Sequence, residues 1–126
     1  MRVDHVGLWV RDLERMRHFY VDLLGGVSGA LYHNTSNGFR SYFISFSRGG
    51  TVELMQMPGI REDPPGDSMG YAHLAFSLGS REAVDAAANR LSTSGVRLDS
   101  EPRETGDGYY EATLLDPEGN RIELVA

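Results

Sequence analysis

The chain opens on an alternation of apolar and polar residues. In the stretch VDHVGLWV, residues 3–10, Val6, Leu8 and Val10 fall on one side of an extended segment and His5, Gly7 and Trp9 on the other. The period then lengthens. Asp12 is placed to cap a helix whose apolar positions Leu13, Met16, Tyr20 and Leu23 follow helical spacing, and Gly25 is placed to end it. Three strand-like runs follow, at 27–34, 39–47 and 51–57, with NTSNG and RGG as turn chemistry between them. The order predicted for this part is βαβββ.

A connector rich in Pro, Gly and acidic residues, PGIREDPPGDS, interrupts the pattern, which then starts again. GYAHLAFSL predicts a strand at 70–78. Ser80 can cap a second helix, with Val84, Ala87, Ala88 and Leu91 on its apolar side and Gly95 as its stop. Strands are expected near 97–102, 109–115 and 120–125, separated by ETGDG and DPEGN. The second part is therefore βαβββ again. The expected organisation is one α+β domain of two modules, 1–57 and 70–126, joined by a connector at 58–69.

The repeat holds at the level of single residues. His5 begins the first module and His73 the second; TVEL at 51–54 closes the first and RIEL at 121–124 the second. Each module thus places one His on its first strand and one Glu, Glu53 or Glu123, on its last. Val52 and Leu54, like Ile122 and Leu124, flank the glutamates and can pack beneath a helix, which leaves both carboxylates on the opposite face with the histidines. Taken singly, each is an ordinary strand histidine or an ion-paired carboxylate. Together, two imidazoles and two carboxylates at matched positions form an N2O2 donor set suited to a borderline divalent ion such as nickel, cobalt, zinc, manganese or iron. Such a set leaves an octahedral ion two positions for neighbouring oxygens of a substrate.

Composition narrows the partners. With 126 residues the chain suits one compact domain, and a net charge of −6 argues against nucleic acid or an anionic membrane as partner. Zero cysteines exclude a disulfide framework, a thiolate metal site and a Cys nucleophile. Asp4 and His5 stand where a signal peptide needs its apolar stretch, so a cytoplasmic location is expected.

The motifs DHVGLWVRDLERMRHFYVDLLGG, AHLAF and LLDPEGNRIEL, spread over nearly the whole chain, resemble the vicinal oxygen chelate superfamily, which includes glyoxalase I, methylmalonyl-CoA epimerase, extradiol dioxygenases and bleomycin-binding proteins. The resemblance implies paired βαβββ modules in a curved sheet around one divalent metal per site, often with modules from two chains at each site, hence a homodimer. The order His5, Glu53, His73, Glu123 is similar to the ligand pattern of glyoxalase I. Dioxygenases use only His, His and Glu, which His5, His73 and Glu123 could also supply, so Glu53 is the discriminating residue. By resemblance the activity is lyase or isomerase chemistry on a small α-hydroxycarbonyl or thiohemiacetal, with a thiol as possible co-substrate. The proton would pass through an enediolate held on the metal, with Glu123 as the base and Glu53 as its possible partner. An extradiol-type Fe(II) dioxygenase and a non-catalytic metal or small-molecule binding protein are the alternatives. Glutathione-using glyoxalase I commonly carries an Arg four residues after the first ligand and an Asn four after the second; here these positions hold Trp9 and Met57. Trp9, Met55 and Met57 are accordingly expected to line an apolar substrate pocket.

Overall fold

The computed structural model describes residues 3–61, 69–106 and 108–126. Most of the expected connector, residues 62–68, lies outside that range. The chain packs as two compact units, Met1–Asp63 and Pro64–Ala126, each with its own sheet and helix.

In the first unit β1 (Val6–Trp9) leads to α1 (Leu13–His18), which continues as one π-helical segment, Phe19–Leu23. Asp12 caps α1 by accepting the Arg15 N–H at 3.0 Å, as its position before the apolar run predicts. The strands β2 (Val27–Ser28), β3 (Tyr32–Asn34), β4 (Phe39–Ser45) and β5 (Thr51–Gln56) follow. Strand order is β1-β5-β4-β2, with β3 also paired to β4, and β1 runs parallel to β5. Leu13, Met16, Phe19 and Tyr20 are buried on the helix side, as are Ile44, Val52 and Leu54 of β4 and β5. Burying a side chain of this size contributes about 1.5–3 kcal/mol. Gly26 makes this packing possible. A Cβ there would sit 2.4 Å from Ile44 Cγ2 and 2.9 Å from the Tyr20 carbonyl oxygen, so no other residue lets the chain leave the helix this close to β4.

The single strand expected over 27–34 is split. Ser28 pairs with Ile44 and Tyr32 with Ser41, so four steps along one strand match three along the other. One extra residue is accommodated between β2 and β3, where Gly29 donates its N–H to the Phe43 carbonyl at 2.8 Å.

The second unit repeats the plan with β6 (Leu74–Ser77), α2 (Arg81–Thr93), β7 (Leu98–Glu104), β8 (Tyr110–Leu115) and β9 (Arg121–Val125). Strand order is β6-β9-β8-β7, and β6 is parallel to β9. Ser80 caps α2 through the Ala83 N–H at 3.2 Å. At the other end Val96 N–H reaches the Leu91 carbonyl and Gly95 N–H the Ser92 carbonyl, both at 3.0 Å, with Gly95 at φ 87°. This left-handed stop needs glycine. Val84, Ala88 and Leu91 are buried on the helix, Ala112, Leu114, Ile122 and Leu124 on the sheet.

DPEGN forms the β8 to β9 turn. Asp116 is buried; its Oδ1 accepts the Glu118 and Asn120 N–H groups, both at 2.9 Å, and its Oδ2 accepts Asn120 Nδ2 at 2.8 Å. One carboxylate thus closes the turn and sets the register of β9, including Glu123.

Each helix is also tied to its sheet by a phenol. Tyr42 donates to Glu14 at 2.9 Å with Arg17 over its ring, and Tyr110 donates to Asp85 at 2.6 Å with Arg81 over its ring. Loss of solvent, then the hydrogen bond to Glu14, raises the Tyr42 pKa. For Tyr110 the hydrogen bond to Asp85 comes first.

Candidate functional site

The parallel pairing of β1 with β5 places Gly7 opposite Glu53 and Trp9 opposite Met55, so His5, Gly7, Trp9, Glu53 and Met55 share the sheet face away from α1. His5 lies one residue before β1 rather than within it, and at that strand entry its side chain is 39% exposed. Its Nδ1 stands 3.0 Å from Asp4 Oδ1, and its Nε2 3.7 Å from Glu53 Oε2. A carboxylate on Nδ1 favours the tautomer with its proton there, which leaves the Nε2 lone pair towards Glu53. Phe43 meets the His5 ring edge to face at 5.3 Å and limits its rotation.

The second unit builds its pair the same way. Ala75 lies opposite Glu123 in the parallel β6 and β9 pairing, and His73 just precedes β6. His73 Nδ1 is 3.1 Å from Glu123 Oε1. Both glutamates are largely covered, 15% and 16% exposed for Glu53 and Glu123. Each is flanked by buried apolar neighbours, Val52 and Leu54 or Ile122 and Leu124, which hold the strand and aim the carboxylate to the other face.

The four residues matched by the repeat therefore stand as two pairs, one per unit. Among the described residues no group of three or more His, Cys, Asp or Glu side chains converges as a metal site. In kind, one imidazole nitrogen and one carboxylate oxygen per unit suit a borderline divalent ion, and each pair presents both donors on one face.

Beyond the pairs the two faces differ. In the first unit, β4 contributes Phe39, Ser41 and Phe43, since Ser41 lies opposite Met55 and Phe43 opposite Glu53. These three escaped the sequence reading, although strict alternation along β4 is the signal that marks them. Met55 lies across Gly7, its Cε 2.8 Å from where a Cβ would be, and Met57 is half-buried just past the end of β5. In the second unit the Glu123 face carries Glu111 and Thr113, with Arg103 bound to Glu111 at 3.1 Å. Arg121 on the same strand pairs with Asp99 at 3.3 Å. Arg40 lies elsewhere, with Glu14 at 3.6 Å and Gln56 at 3.3 Å. Tyr110 is committed to Asp85 on α2, and Tyr109 is exposed.

Comparison with known proteins agrees with this architecture. Residues 2–124 match the family model described as Glyoxalase/Bleomycin resistance protein/Dioxygenase superfamily. The chain is 29% identical to the uncharacterized protein YqjT of Bacillus subtilis, covering 97% of this chain and 96% of that one. It is 28% identical to a lactoylglutathione lyase of Salmonella typhimurium, covering 99% of this chain and 92% of the relative. The crystal structure of glyoxalase I from Zea mays shares the fold at a TM-score of 0.79 and 23% identity; the match covers 98% of this chain but 44% of the maize chain. With its two βαβββ units and a family match from residue 2 to residue 124, the chain belongs to the glyoxalase/bleomycin resistance protein/dioxygenase superfamily.

Proposed function

We propose that this protein is a divalent-metal-dependent lyase or isomerase of the glyoxalase type, acting on a small α-hydroxycarbonyl or thiohemiacetal. The observation that carries the reading is the matched pair in each unit: a His at the entry of the first strand and a largely covered Glu on the parallel last strand, 3.7 Å and 3.1 Å apart. His5, Glu53, His73 and Glu123 would hold the ion, with both modules supplied by one chain or shared between the chains of a homodimer. Members of the superfamily generally bind a divalent metal. When bound, it acts as a Lewis acid that lowers the acidity barrier of the carbon beside a carbonyl.

The chain's own residues supply the rest. Glu123 takes the proton from one carbon and returns it to its neighbour, with Glu53 as its partner; each is covered enough to be shielded from bulk water. A carboxylate does this only while it is loosely held, since a firmly coordinated oxygen is a poor base. Asp4 and Phe43 orient His5. Trp9, Met55 and Met57 lie beside the first pair as an apolar wall for the substrate. The kinship with a lactoylglutathione lyase of Salmonella typhimurium supports the lyase reading over its dioxygenase and binding-protein alternatives. Absence of cysteine fits a cytoplasmic setting.

Metal analysis of the wild type and Glu53→Gln, followed by turnover of methylglyoxal with several thiols, tests the proposal. About one ion per chain and measurable turnover are expected of the wild type, with loss of metal or turnover in the variant. Unchanged occupancy and activity in Glu53→Gln would refute the four-ligand set. A wild type that binds metal but turns over no thiohemiacetal removes the lyase reading.

A further inference from the structure

The face that carries His5 and Glu53 is an aromatic array. Trp9 meets Phe39 edge to face at 6.1 Å and 89°, and Phe39 meets Tyr32 at 6.0 Å and 57°. Phe43 completes the row against His5. These rings are not consumed by the core: Trp9 is 43% exposed, Phe43 42% and Tyr32 55%. Between Phe39 and Phe43 the Ser41 hydroxyl is buried and has no hydrogen-bond partner among the described residues, so this face also holds one uncommitted polar group. Arg40 on the same strand is engaged with Glu14 and Gln56. Among the described residues named on this face none offers a guanidinium to the carboxylates of a tripeptide thiol, whereas a flat ring finds faces and edges at stacking distance.

We infer that the substrates of this site carry an aromatic ring attached to the α-hydroxycarbonyl group, and that Trp9 and Phe39 are the residues that select it. The inference rests on the lyase reading and names its substrate class. A ring laid against the solvent-facing side of the Trp9 and Phe39 pair adds aromatic contacts that a methyl group cannot make, with its two oxygens directed towards His5 and Glu53. Two such contacts correspond to a preference of about ten-fold or more over an alkyl analogue.

Trp9 is the only tryptophan, so its fluorescence reports on this face alone. The full-length protein, with and without added Mn(II), is titrated with 2-hydroxyacetophenone and with hydroxyacetone. The aryl ketone is expected to perturb Trp9 emission saturably and to bind about ten-fold tighter than the alkyl one. Phe39→Leu should cut that preference to about three-fold or less at unchanged metal content. Trp9→Leu, followed by calorimetry, should do the same and guards against a folding defect in the first variant. Equal affinity for the two ketones, or an intact preference in both variants, overturns the inference; metal-dependent binding of either ketone would still leave the lyase reading in place. An aryl preference that Phe39→Leu abolishes, with no effect of Mn(II) on either ketone, supports the ring-selecting residues and removes the metal-dependent reading instead.

Discussion

Glu53→Gln separates a metal ligand from an ordinary strand carboxylate by thermal unfolding. Without metal, the charge removed stands 3.7 Å from a His5 side chain that is 39% exposed, so the pair contributes less than about 1 kcal/mol. The metal-free wild type and variant should unfold within about 3 °C of each other. A metal held by the proposed site in the folded chain alone, at a concentration about a hundred times its Kd, would stabilise the wild type by about 2.7 kcal/mol. For a chain of 126 residues that corresponds to a rise in Tm of about 8–10 °C. If loss of the carboxylate weakens binding about a hundred-fold, the same concentration stabilises the variant by only about 0.4 kcal/mol, a shift of about 1–2 °C. Glu101→Gln, at an exposed position of β7, should keep the full wild-type shift. Equal metal-induced shifts in wild type and Glu53→Gln would show that Glu53 is not a ligand. No shift in the wild type would remove the metal site altogether.

Asp4→Asn should weaken metal affinity about ten-fold with little change in metal-free stability, read by competition with a chelator, because Asp4 sets the His5 tautomer from an exposed position. Asp116→Ala should cost about 1–3 kcal/mol in urea unfolding, since it leaves three half-buried turn donors without their acceptor. Stability should also decline in strong alkali. The Tyr42 and Tyr110 pKa values are raised by folding, so their contribution is complete below the ordinary tyrosine value of about 10 and is lost as pH rises through the higher folded values. The double variant Tyr42→Phe with Tyr110→Phe should show a shallower decline as pH rises above the ordinary tyrosine value of about 10, followed by denaturant midpoints. An equally steep decline in the variant would contradict the part assigned to the two phenols.

The sequence alone determined the repeat, the two helices with their Asp12 and Ser80 caps, and the face each glutamate takes. These follow from local rules: a cap is a hydrogen bond three residues long, and the direction of Glu53 is set by Val52 and Leu54 on either side of it. It also put Trp9 on the strand face of His5 and Met55 on that of Glu53, because an even number of residues separates each pair. Only the tertiary structure decided what depends on neighbours distant in sequence. The bulge that splits 27–34 is a mismatch with β4, and nothing within those eight residues contains it. Likewise, Phe39 and Phe43 are two aromatic residues in a strand until pairing with β5 puts Phe43 beside Glu53 and His5, and Phe39 on the same face against Trp9. DPEGN is expected to separate the last two strands, and the folded chain adds that the Asp116 carboxylate closes that turn. Local hydrogen bonding and alternation are written in consecutive residues, whereas strand register and side-chain partners are set by packing and come into being only when the sheets close.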